Sequence, residues 1–322
     1  MADARSELRE LIEGELSGDA PPEALHLAEA IRARHGAAVA AILFYGSCLR
    51  RPSGEGVLDF YVLVDDYASF YEGRLLAWLN AALPPNVFYL ETDTPDGPLR
   101  CKYAVMSLRD FATATGETSI RPAIWARFCQ PSVAVYTRDS ASREAVLEAC
   151  AGALRTAALR ALPLLPDEHG VQRLDAESFW HALFGETYAS ELRTEQPETV
   201  RGLYHAAPGR YDRALRAALA TLDAENALCV EAEGTRAVVT HRPGRLRRGR
   251  RARRYRRPVA KLLAFAQLLK SAFTFGDFLP YALWKLERHT GTRLELSDRQ
   301  RRHPFLYGWP LLWKLLRSHD LH

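Results

Sequence analysis

Apolar positions recur every three to four residues over 5–16 and 22–35, which predicts two opening helices, with Pro21-Pro22 at the entrance of the second. Residues 37–45 are small, apolar and β-branched, as a buried strand requires. Val57–Val64 (VLDFYVLV) is nearly all apolar, so it predicts a second strand covered on both faces. A helix is expected through Ser69–Asn80, ended by Pro84-Pro85. Val87–Thr92 and Cys101–Ser107 flank a TPDGP turn and read as a β-hairpin. Leu108 to about Gln130 reads as mostly helical, and Val133–Tyr136 as a short strand.

From Ser142 to about Asp223 the period lengthens to that of helices with short breaks, and Glu231–Thr240 reads as a loop or hairpin. Pro258–Gly291 predicts an amphipathic helical region broken near Gly276 and Pro280, with Leu262, Phe265, Leu269 and Phe273 on its apolar side. The tail PFLYGWPLLWKLLRS gathers Trp309 and Trp313 with Tyr307, Lys314 and Arg317 among leucines. No apolar run reaches the roughly 18 residues of a transmembrane helix. The pattern predicts an α+β chain in three parts: a mixed-sheet domain over 1–140, a mainly helical domain over 141–240, and a basic segment with amphipathic helices over 241–322.

Composition changes this picture in two places. At 322 residues and 48% hydrophobic, the chain is long and apolar enough to bury a core. Cys48, Cys101, Cys129, Cys150 and Cys229 form no CxxC pair and no Cys/His cluster, which speaks against a disulfide framework and a zinc site. The first residues, MADARSELRELIEGEL, lack the apolar stretch of a secretory signal, so a cytoplasmic location is expected. The net charge of +4 hides ten arginines between Arg242 and Arg257, leaving 4 − 10 = −6 for the rest. No Asp or Glu occurs between Gly234 and Gly276, so the run is read as exposed and directed at something anionic.

The chemistry centres on Asp59, thirteen residues after Gly46, with apolar or aromatic neighbours from Val57 to Val64. A carboxylate in such a strand is costly without a cation or donors. Gly46 lets the backbone approach a triphosphate closely. The Ser47 N–H and hydroxyl are placed to donate to phosphate oxygens, and Asp59 to hold Mg²⁺. Strand, Gly-Ser turn, then a strand with a carboxylate resembles the layout of polymerase-beta-type nucleotidyltransferases. That superfamily places a second acid two residues on, where this chain has Tyr61. Asp65 shares a face with Asp59 but lies about 20 Å along the strand, so a second carboxylate must come from elsewhere.

More specifically, FYGSCLRRP…GVLDFYVLVDD resembles the mitochondrial-type CDP-diacylglycerol synthases, peripheral phosphatidate cytidylyltransferases that also lack the nearby second acid. LRCKYAVMSLRDF, IWARFCQPSVAVY, GETYASELR and LLKSAFTFGDFLPYALWKLERHTG resemble further segments of that family in order, over about residues 41–291. Cys48, Ser132 and Glu191 depart from its usual residues, and a His-Tyr-Ser stretch has no counterpart after Asp66. The resemblance implies that Gly46 and Ser47 bind the CTP triphosphate and Asp59 holds magnesium. It further implies that Lys102, Arg127 and Arg193 contact phosphate or base, and that Glu191 supplies the missing carboxylate. The acceptor would be phosphatidic acid, whose own ionised phosphate attacks, so no general base is needed. This suits a chain whose ten histidines form no evident cluster.

A lipid acceptor requires reaching a bilayer without spanning it. The arginine run, with Arg247, Arg248, Arg250, Arg251, Arg253 and Arg254, and the Trp309/Trp313 tail suit attachment to the inner face of an anionic membrane. Arginine-rich stretches bind nucleic acid equally well. A nucleotidyltransferase acting on RNA or on a small phosphorylated metabolite therefore stays open, as does an inactive binding relative.

Overall fold

The computed structural model describes residues 2–50, 57–95, 97–190, 202–233 and 236–274. Two helices, α1 (Ala2–Leu16) and α2 (Pro22–His35), lead through a 3-10 turn into β1 (Val39–Tyr45). A one-turn helix, α3 (Ser47–Arg50), follows, and β2 (Leu58–Val64) returns antiparallel to β1. The single helix expected over Ser69–Asn80 is two, α4 (Tyr67–Phe70) and α5 (Arg74–Ala82). Asp66 caps a separate first turn, accepting from the Ser69 N–H at 2.9 Å, and Gly73 begins the next helix. The hairpin is β3 (Asn86–Thr94) and β4 (Gly97–Ser107). The helical stretch after it divides at Gly116 into α6 (Leu108–Thr115) and α7 (Pro122–Phe128), before β5 (Ser132–Thr137).

These strands form one mixed sheet, ordered β3-β4-β2-β1-β5, in which only β2 and β4 run parallel. Both faces are covered, which explains the near-continuous apolar reading of β2. Phe60, Val62 and Val64 belong to one buried cluster with Leu27 and Ile31 of α2. Tyr61 and Leu63 point the other way, into a core with Phe111 of α6, Phe128 of α7 and the long helix α8 (Ser140–Ala161). Asp59 lies on that second face, and is the one residue of β2 that is not buried.

Beyond α8 come β6 (Val171–Leu174), α9 (Ala176–Ser190), α10 (202–205), α11 (Pro208–Ala224), β7 (Cys229–Glu233) and β8 (Arg236–Thr240). The expected hairpin is present, but β6, read as part of a helical stretch, joins it in a three-stranded antiparallel sheet ordered β6-β8-β7. One apolar cluster runs from Leu8 of α1 through α8 to Leu246.

The arginine run corrects the sequence reading. The exposed basic segment and the start of the amphipathic helical region expected from Pro258 belong to one 30-residue helix, α12 (Arg245–Thr274), that continues through Pro258. Proline removes the hydrogen bond to the carbonyl of Arg254, and both residues are exposed, so the break falls on the solvent side of the helix. Nor is the run without acids. Arg250 pairs with Asp167, and Arg253 with Glu186 at 2.6 Å. Arg247, Arg248, Arg251 and Arg254 are exposed. Leu246, Ala260 and Lys270 are buried on the opposite side. Among the described residues no helix is long and apolar enough to cross a membrane.

Candidate functional site

Strand register assembles the site. Asp59 on β2 stands opposite Tyr45 of β1 on one side and Lys102 of β4 on the other. Registered neighbours share a face, so the carboxylate and the ammonium-bearing side chain lie side by side with a phenol next to them. The sequence reading placed both residues on strands; their adjacency follows from the parallel β2–β4 pairing, which no local pattern encodes.

Gly46, the residue after β1, has a φ of 95°, a left-handed conformation that side chains resist. A Cβ there would sit 3.2 Å from Asp59 Oδ2. The glycine is therefore required twice, by the turn and by the carboxylate packed against it. Ser47 is exposed and opens the single turn of α3.

Tyr45, Asp59, Tyr61 and Lys102 line a cleft of about 420 Å³, whose other walls are α7 and α12. Arg127 lines it from α7, with its guanidinium also donating to the Ala123 carbonyl at 2.8 Å. Arg121, which the sequence reading passed over, lines it too, and its guanidinium also donates to the Pro84 carbonyl. Its position just before Pro122, the first residue of α7, was the available signal. Lys102, Arg121 and Arg127 against Asp59 give the lining a formal charge of 3 − 1 = +2, and Asp59 is the only carboxylate among the described lining residues. Such a lining attracts a multiply charged anion and leaves one acid to share a cation with it.

The roof is α12, through Ala260, Ala264, Gln267, Leu268 and Ser271. It is fastened at the Pro84-Pro85 turn, where Lys270 Nζ donates to the carbonyls of Leu83 and Pro85, the latter at 2.9 Å. Gln267 donates to the same Pro85 carbonyl at 2.5 Å. Burial, reinforced by Arg121, pulls the Lys270 amine down to about 7. A smaller pocket of about 90 Å³ shares Pro122 and Ala260 with the cleft; Trp125 and Leu183 line it together with Arg253, Arg256 and Arg257.

Two residues passed over as metal ligands have structural tasks. Asp65 pairs with Arg138 at 2.6 Å, and Asp66 caps α4. Glu191, Arg193, Trp309 and Trp313 lie outside the described residues. Gly46 and Ser47 are not among the cleft-lining residues; Gly46 reaches the cleft through its contact with Asp59. No protein-family model matches the chain, and no curated protein matches it.

Proposed function

We propose that this chain is a magnesium-dependent nucleotidyltransferase on a polymerase-beta-type fold, carrying CMP from CTP to phosphatidic acid at an anionic membrane surface. One observation carries the reading. Asp59, held against a positive-φ glycine at a strand end, shares a cleft with Lys102, Arg121 and Arg127.

The donor set fits magnesium, which takes one or two carboxylates together with substrate phosphates and water. Asp59 would hold it, with Glu191 as the second carboxylate that the family resemblance implies. When bound, the ion neutralises phosphate charge and polarises the α-phosphorus. The residues of the chain position and neutralise. Lys102, Arg121 and Arg127 hold the triphosphate by charge-assisted hydrogen bonds. The phosphate oxygen of phosphatidic acid attacks the α-phosphorus, and the bond to the α–β bridging oxygen breaks. That electron pair leaves with pyrophosphate, and CDP-diacylglycerol forms. The attacking oxygen is already ionised, so the gain comes from alignment and charge stabilisation.

The acceptor side rests on two further features. The pocket beside the cleft sets Trp125 and Leu183 beside Arg160, Arg256 and Arg257, with Arg253 paired to Glu186, and this lining suits a phosphate carrying an apolar tail. Arg247, Arg251 and Arg254 on α12 stand exposed for anionic head groups, each worth about 1 kcal/mol near such a surface.

Incubation of the protein with α-labelled CTP, Mg²⁺ and either phosphatidic acid vesicles or RNA tests the reading. Lipid-linked CMP with stoichiometric pyrophosphate is expected. Labelled RNA would replace the lipid acceptor with nucleic acid, and label in neither would overturn the proposed reaction.

A further inference from the structure

We propose that Glu177, His181 and His205 form a transition-metal site of the Zn²⁺ class, distinct from the Asp59 cleft. None of the three lines that cleft. Glu177 and His181 are four residues apart on α9, and therefore on one face of it. His205 comes from α10, across a gap of 205 − 181 = 24 residues, so no sequence spacing announces the group.

The geometry is near that of a bound ion. One ligand atom from each residue lies within 4.8 Å of the others, and His205 Nε2 is 3.5 Å from Glu177 Oε1. Tetrahedral zinc with ligands at about 2.0–2.1 Å has ligand–ligand edges of about 3.4 Å. One edge is thus already formed, and the widest needs to close by no more than about 1.4 Å. Glu177 and His205 are exposed and turn without disturbing the core.

His181 supplies an independent argument. Its Nε2 is buried and has no hydrogen-bond partner among the described residues. Such a nitrogen is destabilising unless something accepts its interaction, and a metal ion does so. The surroundings favour a cation. The Tyr204 ring packs 6.0 Å from His181 and 5.6 Å from His205, and its hydroxyl donates to Asp212 at 2.9 Å. Asp212 thus stands as a second carboxylate beside the two imidazoles, joined to them through the Tyr204 ring.

Two imidazoles with one carboxylate suit zinc, or cobalt and nickel, better than magnesium or calcium, which prefer all-oxygen sets. Three protein donors leave a fourth position for water. The ion would pin α9 to α10, and its binding free energy would add to stability.

The test uses the full chain, stripped with chelator, its thiols alkylated and titrated with Zn²⁺ by calorimetry at pH 7.5. One ion per chain and a rise in Tm on loading are expected. His205→Asn and Glu177→Gln, both at exposed positions that keep the fold, should each weaken binding by at least the roughly 10–100-fold that loss of an outer partner costs. The zinc-dependent rise in Tm should vanish in His181→Ala. Absence of binding at tens of micromolar Zn²⁺ would overturn the site, as would binding that survives His205→Asn and Glu177→Gln unchanged.

Discussion

Gly46→Ala tests why β1 is followed by a glycine beside a carboxylate. A φ of 95° strains any L side chain by roughly 1–2 kcal/mol. The new Cβ would stand 3.2 Å from Asp59 Oδ2 and 3.5 Å from Asp59 Cβ, so the carboxylate or the turn must move by a few tenths of an ångström. With about 2.1 cal/mol/K per residue over 322 residues, the unfolding entropy is about 0.7 kcal/mol/K. The strain alone then lowers Tm by about 1.5–3 °C. A misplacement of 1 Å can cost about 10²-fold in rate, so the smaller shift of Asp59 should lower kcat about 3–10-fold. Thermal melts and labelled-CTP turnover measure the two effects. A double-mutant cycle separates their causes: Asp59→Ala removes the oxygen contact, so adding Gly46→Ala in that background leaves only backbone strain. Wild-type Tm and turnover in Gly46→Ala would refute the argument. Identical destabilisation in both backgrounds would remove the contact and leave the turn alone.

The remaining predictions concern charge. Asp59→Asn should cut turnover by about 10²–10³-fold while leaving the melting temperature unchanged, as read by product formation and calorimetric melts. Lys102→Met should weaken CTP binding about 10–100-fold in calorimetry, the worth of one charge-assisted bond. Burial, then Arg245, hold His241 at about 4, below its ordinary 6.5. Between pH 6.5 and 4 the unfolded chain therefore binds a proton that the folded chain does not. Stability falls as pH drops through that window and levels below it, by at most about 3 kcal/mol; urea midpoints at pH 7 and 4.5 should show the fall, and His241→Gln should reduce it. Reversing Arg247, Arg251 and Arg254 to Glu should lower partitioning onto anionic vesicles by on the order of 100-fold in flotation, whereas Arg250→Gln, whose partner is Asp167, should change it little.

Much of the first sheet was legible because its strands are apolar runs bounded by turn residues, and Asp59 stood out as the one acid in β2. What escaped was long-range. β6 is four residues, VQRL, whose buried Gln172 accepts from His241 Nε2 at 2.8 Å and donates to the Leu162 carbonyl at 2.9 Å. Its strand identity exists only through pairing with β8, which no local propensity reveals. The acids that pair with Arg250 and Arg253 lie 83 and 67 residues upstream, so a window around the arginine run contains none. Likewise ten histidines scattered along the sequence gave no hint that His181 and His205 meet. Arg121 was missed for a different reason: a residue before proline reads as a helix boundary, and its role depends on which way the boundary faces.

The layout of α12 sets a limit on how the two roles proposed for it are told apart. The same rod, about 45 Å long at helical rise, exposes its arginines near one end and covers the Asp59 cleft with the other. Deleting it to test the proposed vesicle attachment would also strip a wall from the Asp59 cleft, so an inactive truncated protein would say nothing about lipids. Only point changes on the outward side, with Gln267 and Lys270 left in place, dissect adhesion from turnover.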